Sequence, residues 1–137
     1  VDKKKMALQV SAFNIDNEEY GTYVILALPQ GETSLETLIE EMEDEIEKIQ
    51  KNLISEKDYQ KLQNQFESDF VSSSSNIAGI ANSLAEYYTF YGDTNLINTE
   101  LDLYQSITRE EIQEVARAYL NPNQRLELHY LPESKKE

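Results

Sequence analysis

The stretch YQSITREEIQEVARAYLNPNQRLELHYLP, residues 104–132, contains three signals of local structure in a fixed order. Thr108 and Glu111 have the spacing of a capping box, in which each side chain accepts the other residue's backbone N–H at the start of a helix. Pro122 predicts the end of that helix, because proline cannot extend it and restricts the residue before it. Apolar and polar residues then alternate over Arg125 to Leu131, which predicts a final strand.

The N-terminal part of the chain predicts an antiparallel pair of strands. Met6 to Phe13 alternates between apolar and polar residues, which is the pattern of a half-buried strand. A polar turn is predicted within Asn14 to Tyr20. Thr22 to Leu28 is almost entirely apolar, which predicts a strand buried on both faces, and the turn residues of Pro29 to Gly31 end it.

Four helices are predicted between these strands. The first begins at another capping box, Thr33 to Glu36, and its apolar stripe continues to Leu53. The second begins at Ser55, and the third begins at the serine run Ser72 to Ser75. The fourth is the capped helix described above, and Leu96 to Tyr104 before it is interpreted as a short helical or irregular stretch.

The predicted order β-β-α-α-α-α-β is typical of an α+β protein. It favours a two-layer α/β sandwich, with helices packed on one face of a mostly antiparallel sheet. A chain of 137 residues is long enough for one domain with a sizeable core. We therefore expect a single domain over residues 1–132 and a charged, frayed tail over residues 133–137. Because the first residues run directly into a strand pattern, we expect the chain to be part of a longer polypeptide.

The composition disfavours several classes of partner. The chain has 26 acidic and 12 basic residues and a formal net charge of -14. Such a surface repels phosphate backbones and anionic lipids, so neither nucleic acid nor a membrane is an expected partner. The absence of cysteine excludes disulfides, thiolate zinc sites and cysteine nucleophiles. No apolar run has the length of a membrane span, so we expect a soluble protein, in a compartment left open between periplasm and cytoplasm.

No residue is predicted to be catalytic, cofactor-binding or metal-binding. His129 is the only histidine and belongs to no H-x-x-E-H or H-E-x-x-H motif, so it is interpreted as a surface or edge residue. Ser72 to Ser75 lacks the G-x-S-x-G pattern of a nucleophile and is interpreted as a helix break with an N-cap. Acidic residues on the first helix favour a solvated face over a calcium or magnesium site. These residues are Glu36, Glu40, Glu41, Glu43, Asp44, Glu45 and Glu47.

Three tyrosines near the end of the third helix leave two interpretations open. Tyr87, Tyr88 and Tyr91 either line a binding surface or pack in a core or interface, and their helical spacing favours packing. Tyr88 is predicted to face inward together with Ile77 and Ile80. The residues alone therefore predict an acidic α+β domain without an active site of its own.

Several stretches, in this order, resemble the second half of a domain of an insulinase (pitrilysin) family zinc peptidase. In that family, a strand resembling L-A-Y-x-V-x-A precedes a turn, a glycine and an apolar strand ending near Pro-Gly. The stretch MALQVSAFNIDNEEYGTYVILALPQG resembles this strand pair, and LISEKDYQKLQNQFESDF and IAGIANSLAEYYTFYGD resemble the helices that follow. The closest match is the stretch quoted first, where the family typically reads I-x-x-[VI]-T-x-E-[DE]-[IV]-x-x-[VA]-A-x-x-[YW]-[LF]-x-P-x-[NQ] before a strand ending in proline.

The resemblance implies a half-domain with the fold of LuxS and the processing peptidases, in an assembly that encloses peptides in a chamber. The family's zinc site, H-x-x-E-H and a downstream glutamate, lies in the first half of a catalytic domain, so no cofactor is expected in this chain. Non-catalytic halves often hold the substrate with a tyrosine and an arginine, which would fall at Leu8 and near Val1 or Asp2. This chain has neither residue there. The implied partners are the remaining half or a second subunit, and a peptide substrate in the assembled enzyme.

Two functions remain open from the sequence. The chain is either a non-catalytic portion of a zinc peptidase, inactive alone, or a self-contained acidic interaction module or degenerate scaffold subunit. The first hypothesis predicts an exposed apolar sheet face or edge, which a homodimer of the chain could cover. The second predicts a monomer without a large exposed apolar patch. The exposure of Tyr23, Ile25 and Tyr130 discriminates between the two.

Overall fold

The computed structural model describes residues 4–17, 19–73 and 76–131, and within them an antiparallel pair of strands precedes five helices. The α+β class and the antiparallel pairing predicted from the sequence are confirmed. The stretch left open as helical or irregular is a regular helix. The elements are β1 (Ala7–Ile15), β2 (Thr22–Pro29), α1 (Leu35–Lys51), α2 (Glu56–Ser73), α3 (Ile77–Tyr91), α4 (Leu96–Ser106), α5 (Arg109–Tyr119) and a 3-10 turn at Pro122–Gln124.

The register of the two strands decides which side chains share a face. Pairing runs from Ile15 opposite Thr22 to Gln9 opposite Leu28. An irregularity between Ala7 and Gln9 inserts one extra residue into β1, as in a β-bulge. Because directly paired residues of antiparallel strands point to the same side, the extra residue moves Ala7 to the side opposite Gln9.

Two of the predicted helix caps are present. The hydroxyl of Ser55 accepts the backbone N–H of Asp58 at 3.1 Å and donates to its carboxylate at 2.6 Å. The hydroxyl of Thr108 accepts the N–H of Glu111 at 3.2 Å, and the N–H of Thr108 donates to the Glu111 carboxylate at 2.7 Å. The second pair is therefore a complete capping box. The bond from the backbone of Thr108, and then the bond from its hydroxyl, lowers the pKa of Glu111.

The predicted caps of the other two helices are at the wrong residues. The hydroxyl of Ser34, not that of Thr33, accepts a backbone N–H in the first turn of α1, at 3.2 Å. The side chain of Asn76 caps α3 by accepting the N–H of Gly79 at 2.8 Å. Ser72 and Ser73 belong to the last turn of α2, and Ser74 and Ser75 lie outside the described residues. Serine, threonine and asparagine all cap helices, so residue type alone could not select among close neighbours.

The predicted final strand is not formed within the described residues. Residues 125–131 follow the 3-10 turn, and neither strand of the hairpin pairs with them. Arg125 has φ -117° and ψ 154°, so the backbone does enter the β region where the alternation begins. An extended segment becomes a strand only when another edge supplies its hydrogen bonds. The predicted tail over residues 133–137 lies outside the described residues.

The contacts divide the chain into two compact units, and the first includes residues 1–50 and 116–137. In this unit, the end of α1 is bonded to the end of α5. The side-chain amide of Gln50 donates to the carbonyls of Ala116 and Leu120, at 3.1 and 2.8 Å. Arg117 Nε donates a hydrogen bond of 2.6 Å to the carbonyl of Gln50. The Ala116 carbonyl also accepts the backbone N–H of Leu120 at 3.1 Å. Because carbonyls in the last turn of a helix have few partners within it, these side-chain bonds join the ends of the two helices.

The second unit includes residues 51–115 and is built around α2 and α4. The rings of Phe66 and Tyr104 stack with their centroids 4.8 Å apart. The hydroxyl of Tyr59 donates to the carbonyl of Ile107 at 2.7 Å, and the Gln63 amide donates to the Tyr59 oxygen at 3.0 Å. Side-chain bonds to backbone groups thus fix the end of α4 against α2.

We expect Gly92→Ala to lower the free energy of unfolding by about 1–2 kcal/mol. Gly92 ends α3 at φ 67°, a conformation that costs energy in any residue with a Cβ, while its N–H bonds the Tyr88 carbonyl at 3.1 Å. An added Cβ would meet no atom within 4 Å, so the cost comes from the backbone alone. Urea unfolding measures the change. Gly21→Ala is the control, since Gly21 has no positive φ, and equal losses in both variants would contradict this explanation.

We expect Glu111→Gln to be less stable than the wild type at neutral pH and equally stable in acid. The capping bonds depress the pKa of Glu111 below its ordinary value of 4.5. Their stabilisation is therefore fully present above pH 4.5 and is lost as the pH falls through the depressed pKa of the folded state. Unfolding measured across this range tests the expectation. Glu110→Gln is the control, because it removes an acidic residue from the same first turn of α5. If both variants lose stability with the same pH dependence, the effect comes from negative charge in the first turn and not from the capping bonds.

Candidate docking surfaces

No metal site is formed by the ionisable side chains that the structure describes. Among residues 4–17, 19–73 and 76–131, no group of three or more histidine and acidic side chains is placed to hold a metal ion. His129 lies 3.8 Å from the carboxylate of Glu127, and its side chain is 42% exposed. A shallow depression is lined by polar residues of α2 alone, from Lys57 to Gln65. One helix face cannot surround a ligand, so this depression lacks the convergent polar groups of a binding pocket.

Several acids of α1 form surface ion pairs instead. Glu41 bonds the ammonium group of Lys4, and Glu43 bonds the guanidinium group of Arg125. These side chains are 31–56% exposed, so water and salt screen each pair, and a pair of this kind contributes at most about 1 kcal/mol. This geometry is that of a solvated helix face.

Open apolar surface is the main feature of the described residues. Only Ala7, Leu38 and Ala116 are buried apolar residues among them, at 3%, 6% and 5% exposure. Many large apolar side chains on the strands and helices remain exposed instead. Soluble monomers rarely leave contiguous apolar patches of more than a few hundred Å² open, and larger ones mark interaction sites.

One face of the hairpin carries four exposed apolar side chains, and we call it the Phe13 face. It consists of Phe13, Ile15, Leu26 and Leu28, which are 45–48% exposed. The register places them on one side, because Leu26 pairs with Ser11 and Leu28 with Gln9, both at even spacing from Phe13. The prediction that the second strand is buried on both faces is therefore wrong, since the residues of β2 are half-buried or exposed.

The three residues whose exposure separates the two hypotheses are largely exposed to solvent. Tyr23 is 51% exposed and Tyr130 is 93% exposed, while Ile25 is half-buried. This result agrees with the hypothesis of an exposed apolar sheet. The sequence did not single out Phe13 and Ile15. The signal that could have found them is their even spacing on β1, which becomes informative once the register with β2 is known.

The third helix leaves a second apolar surface open in the other unit. Ile77, Tyr88 and Tyr91 are 86%, 69% and 68% exposed, so the predicted inward orientation of Tyr88 and Ile77 is wrong. Tyr87 differs, because it is half-buried and donates its hydroxyl hydrogen to the carboxylate of Glu100. Burial, and then the bond to Glu100, raises the pKa of the Tyr87 phenol. The three tyrosines thus divide between internal packing and open surface.

No helix within the described residues combines the length and the apolar composition needed to cross a bilayer.

Comparison with known proteins identifies the fold. No family model and no curated protein matches this chain. A crystal structure of a protease from Helicobacter pylori matches with a TM-score of 0.81 and 21% identity, over 90% of this chain and 30% of that chain. The inactive peptidase domain of a proposed zinc protease from Bordetella parapertussis matches with a TM-score of 0.82 and 20% identity, over 97% of this chain and 71% of that chain. The chain therefore shares the fold of these two structures, and it spans less than a third of the first of them.

We expect Leu26→Glu to destabilise a longer polypeptide that contains these residues much more than it destabilises the 137-residue chain. In the chain alone, Leu26 is already 46% exposed, so the loss should stay below about 1 kcal/mol. If further polypeptide covers the Phe13 face, the same change buries an unpaired charge and costs at least about 2 kcal/mol more. Thermal and urea unfolding of both forms measure the difference. Equal losses in the two forms would show that the Phe13 face stays open.

Proposed function

We propose that this chain is a non-catalytic portion of a zinc-dependent peptidase of the insulinase family, where it forms part of the substrate chamber and packs against other domains. The solved structures that share its fold are a protease and an inactive peptidase domain of a proposed zinc protease. The assignment to the insulinase family is supported by the resemblance of the sequence to that family. The resemblance lies in the helix caps, the proline that ends a helix and the order of the motifs. The chain is either the second half of a catalytic polypeptide's domain or part of an inactive partner subunit.

The single observation that carries the proposal is the open apolar surface of the hairpin. A self-contained interaction module should cover such a surface within its own fold, whereas a half-domain keeps it for the rest of the peptidase. The Phe13 face has the composition of an interface core, with an aromatic residue and aliphatic residues and no charge among its four members. The open surface therefore favours a portion of a larger assembly over the acidic module.

In this proposal the chain contributes shape and rigidity, not reacting groups. Zinc would be held by the part of the peptidase outside this chain, because the described residues offer no metal-holding group. There, zinc would activate a water molecule for attack on the peptide bond. The chain would help enclose the peptide and hold the zinc-bearing half in position. Its acidic surface would also attract basic peptides, more strongly at low salt.

Zinc content and peptide hydrolysis test this proposal directly. We expect the purified 137-residue chain to bind no stoichiometric zinc and to hydrolyse no unfolded peptide. The full-length polypeptide with its partner subunit, if it has one, should bind zinc and hydrolyse the same peptides. A chelator should abolish that activity and added zinc should restore it, as measured by metal analysis and a fluorogenic peptide assay.

Two results would contradict the proposal. One is zinc-dependent hydrolysis by the 137-residue chain alone. The other is an assembled parent protein that neither binds zinc nor hydrolyses any peptide. Substituting the histidines of an H-x-x-E-H motif in the parent gives the matched inactive control, because it removes the metal and leaves the residues of this chain unchanged.

A further inference from the structure

The third helix carries an apolar stripe that the proposed function does not use. We call this stripe the α3 seam, and it consists of Ile77, Ala81, Leu84, Tyr88 and Tyr91. Four of these side chains are exposed, and Leu84 is half-buried. Its members follow one another at alternating steps of four and three residues, which is the spacing of the a and d positions of a coiled coil. Residues at this spacing lie on one side of a helix, and in a coiled coil they pack against a second helix.

Charge is almost absent from α3, although the chain as a whole is strongly acidic. Glu86 is the only charged residue in this helix, whereas the chain has a formal net charge of -14. Glu86 is two positions from both Leu84 and Tyr88, and residues two apart do not share a helix face, so it lies outside the seam. Depletion of charge and enrichment in aromatic residues are typical of the core of a protein interface. Two acidic molecules can therefore approach each other along α3 with less repulsion than along the acidic α1.

The order of large and small residues makes the α3 seam complementary to itself in the antiparallel direction. From Ile77 to Tyr88 the steps are four, three and four residues, so the series is the same when counted from either end. Two antiparallel copies therefore place Ile77 opposite Tyr88 of the second copy, and Ala81 opposite Leu84 of the second copy. Each larger residue then meets a smaller one, which fills the space between two helices well. In a parallel pair, Ala81 would meet Ala81 and leave a gap. The antiparallel direction also places the helix dipoles in opposite orientations, which is favourable.

The area of the α3 seam is that of a weak but specific pair. The seam is about 21 Å long from Ile77 to Tyr91. Covering Ile77, Tyr88 and Tyr91 would remove on the order of 100 Å² each from water, or about 600 Å² for two copies. The exposed side chains of Ala78 and Ala85 beside the seam add to this area, so the total approaches the roughly 1,000 Å² of a specific interface. We therefore expect a dissociation constant in the micromolar range.

We propose that two copies of this chain pair through the α3 seam, as an antiparallel pair of helices related by a two-fold axis. A two-fold pair uses the same surface on both copies, so it closes as a dimer and does not extend into a fibre. Each copy has a net charge of -14, so added salt screens their repulsion and strengthens the pair. The proposal does not depend on the peptidase role, because it uses only residues of α3 and the same residues of a second copy.

Sedimentation of the 137-residue chain tests the proposal. At about 100 μM we expect a reversible dimer. Ala81→Glu should weaken the pairing at least about tenfold, because it places a charge in the seam of each copy. Leu26→Glu on the Phe13 face is the matched control, and it should leave the dissociation constant nearly unchanged. A monomer at this concentration would overturn the proposal, and so would a dimer that Ala81→Glu weakens less than Leu26→Glu does.

Introduced cysteines test the antiparallel direction, because the chain has no cysteine of its own. Oxidation of an equal mixture of Ile77→Cys and Tyr88→Cys chains should join the two variants, since these positions face each other in the proposed pair. Either variant oxidised alone should give at least about tenfold less covalent dimer. Preferential joining of Ile77→Cys chains to one another would refute the antiparallel arrangement. If Ala81→Glu does not fold, the cysteine mixture still decides the question.

The full-length polypeptide separates a second copy from the other possible occupant of the seam, which is polypeptide outside this chain. We expect Ala81→Glu to weaken self-association of the full-length protein at least about tenfold as well. If the substitution instead leaves self-association unchanged and lowers the melting temperature, polypeptide of the same molecule covers the seam and the proposal fails. Zinc content and peptide hydrolysis are measured separately, so failure of the dimer and failure of the peptidase role are distinguishable.

Discussion

A two-stranded hairpin cannot bury the apolar side chains of both its faces, and this constraint governs the whole structure. Within the described residues, the buried apolar set is two alanines and one leucine, Ala7, Leu38 and Ala116. Sheets of this size are at best marginally stable in water without further strands or packed helices. Local hydrogen bonds hold the elements in shape, while many large apolar side chains remain exposed to solvent. Covering these exposed side chains would be favourable, so their surface is available for association.

Local chemistry was the part of the fold that the sequence could predict best. The capping box of Thr108 and Glu111, the cap at Ser55 and the helix end before Pro122 each depend on residues within one or two turns of helix. Such signals do not need the rest of the protein. Where two neighbouring residues could serve equally, as at Thr33 and Ser34, the sequence did not decide, because backbone angles select the cap.

Tertiary surroundings were the part that could not be predicted. The sequence shows the apolar character of β2, of the α3 surface around Tyr88 and of residues 125–131. Each of these was predicted to be buried or paired. Hydrophobic periodicity shows which side of an element prefers to leave water, but it contains no information on whether the same chain supplies the cover. The candidate docking surfaces are the places where that preference is not satisfied.

The extra residue between Ala7 and Gln9 changes the side of the hairpin to which the start of β1 points. If side chains alternated strictly along β1, Ala7 would lie on the same side of the hairpin as Gln9. The irregular pairing instead places its methyl group on the opposite side, where Ala7 is 3% exposed. The bulge therefore reverses the side to which the first residue of the strand points. Matching this strand to a relative by counting every second position would exchange its two sides at that point. An alignment that allows one unpaired residue there keeps the sides distinct.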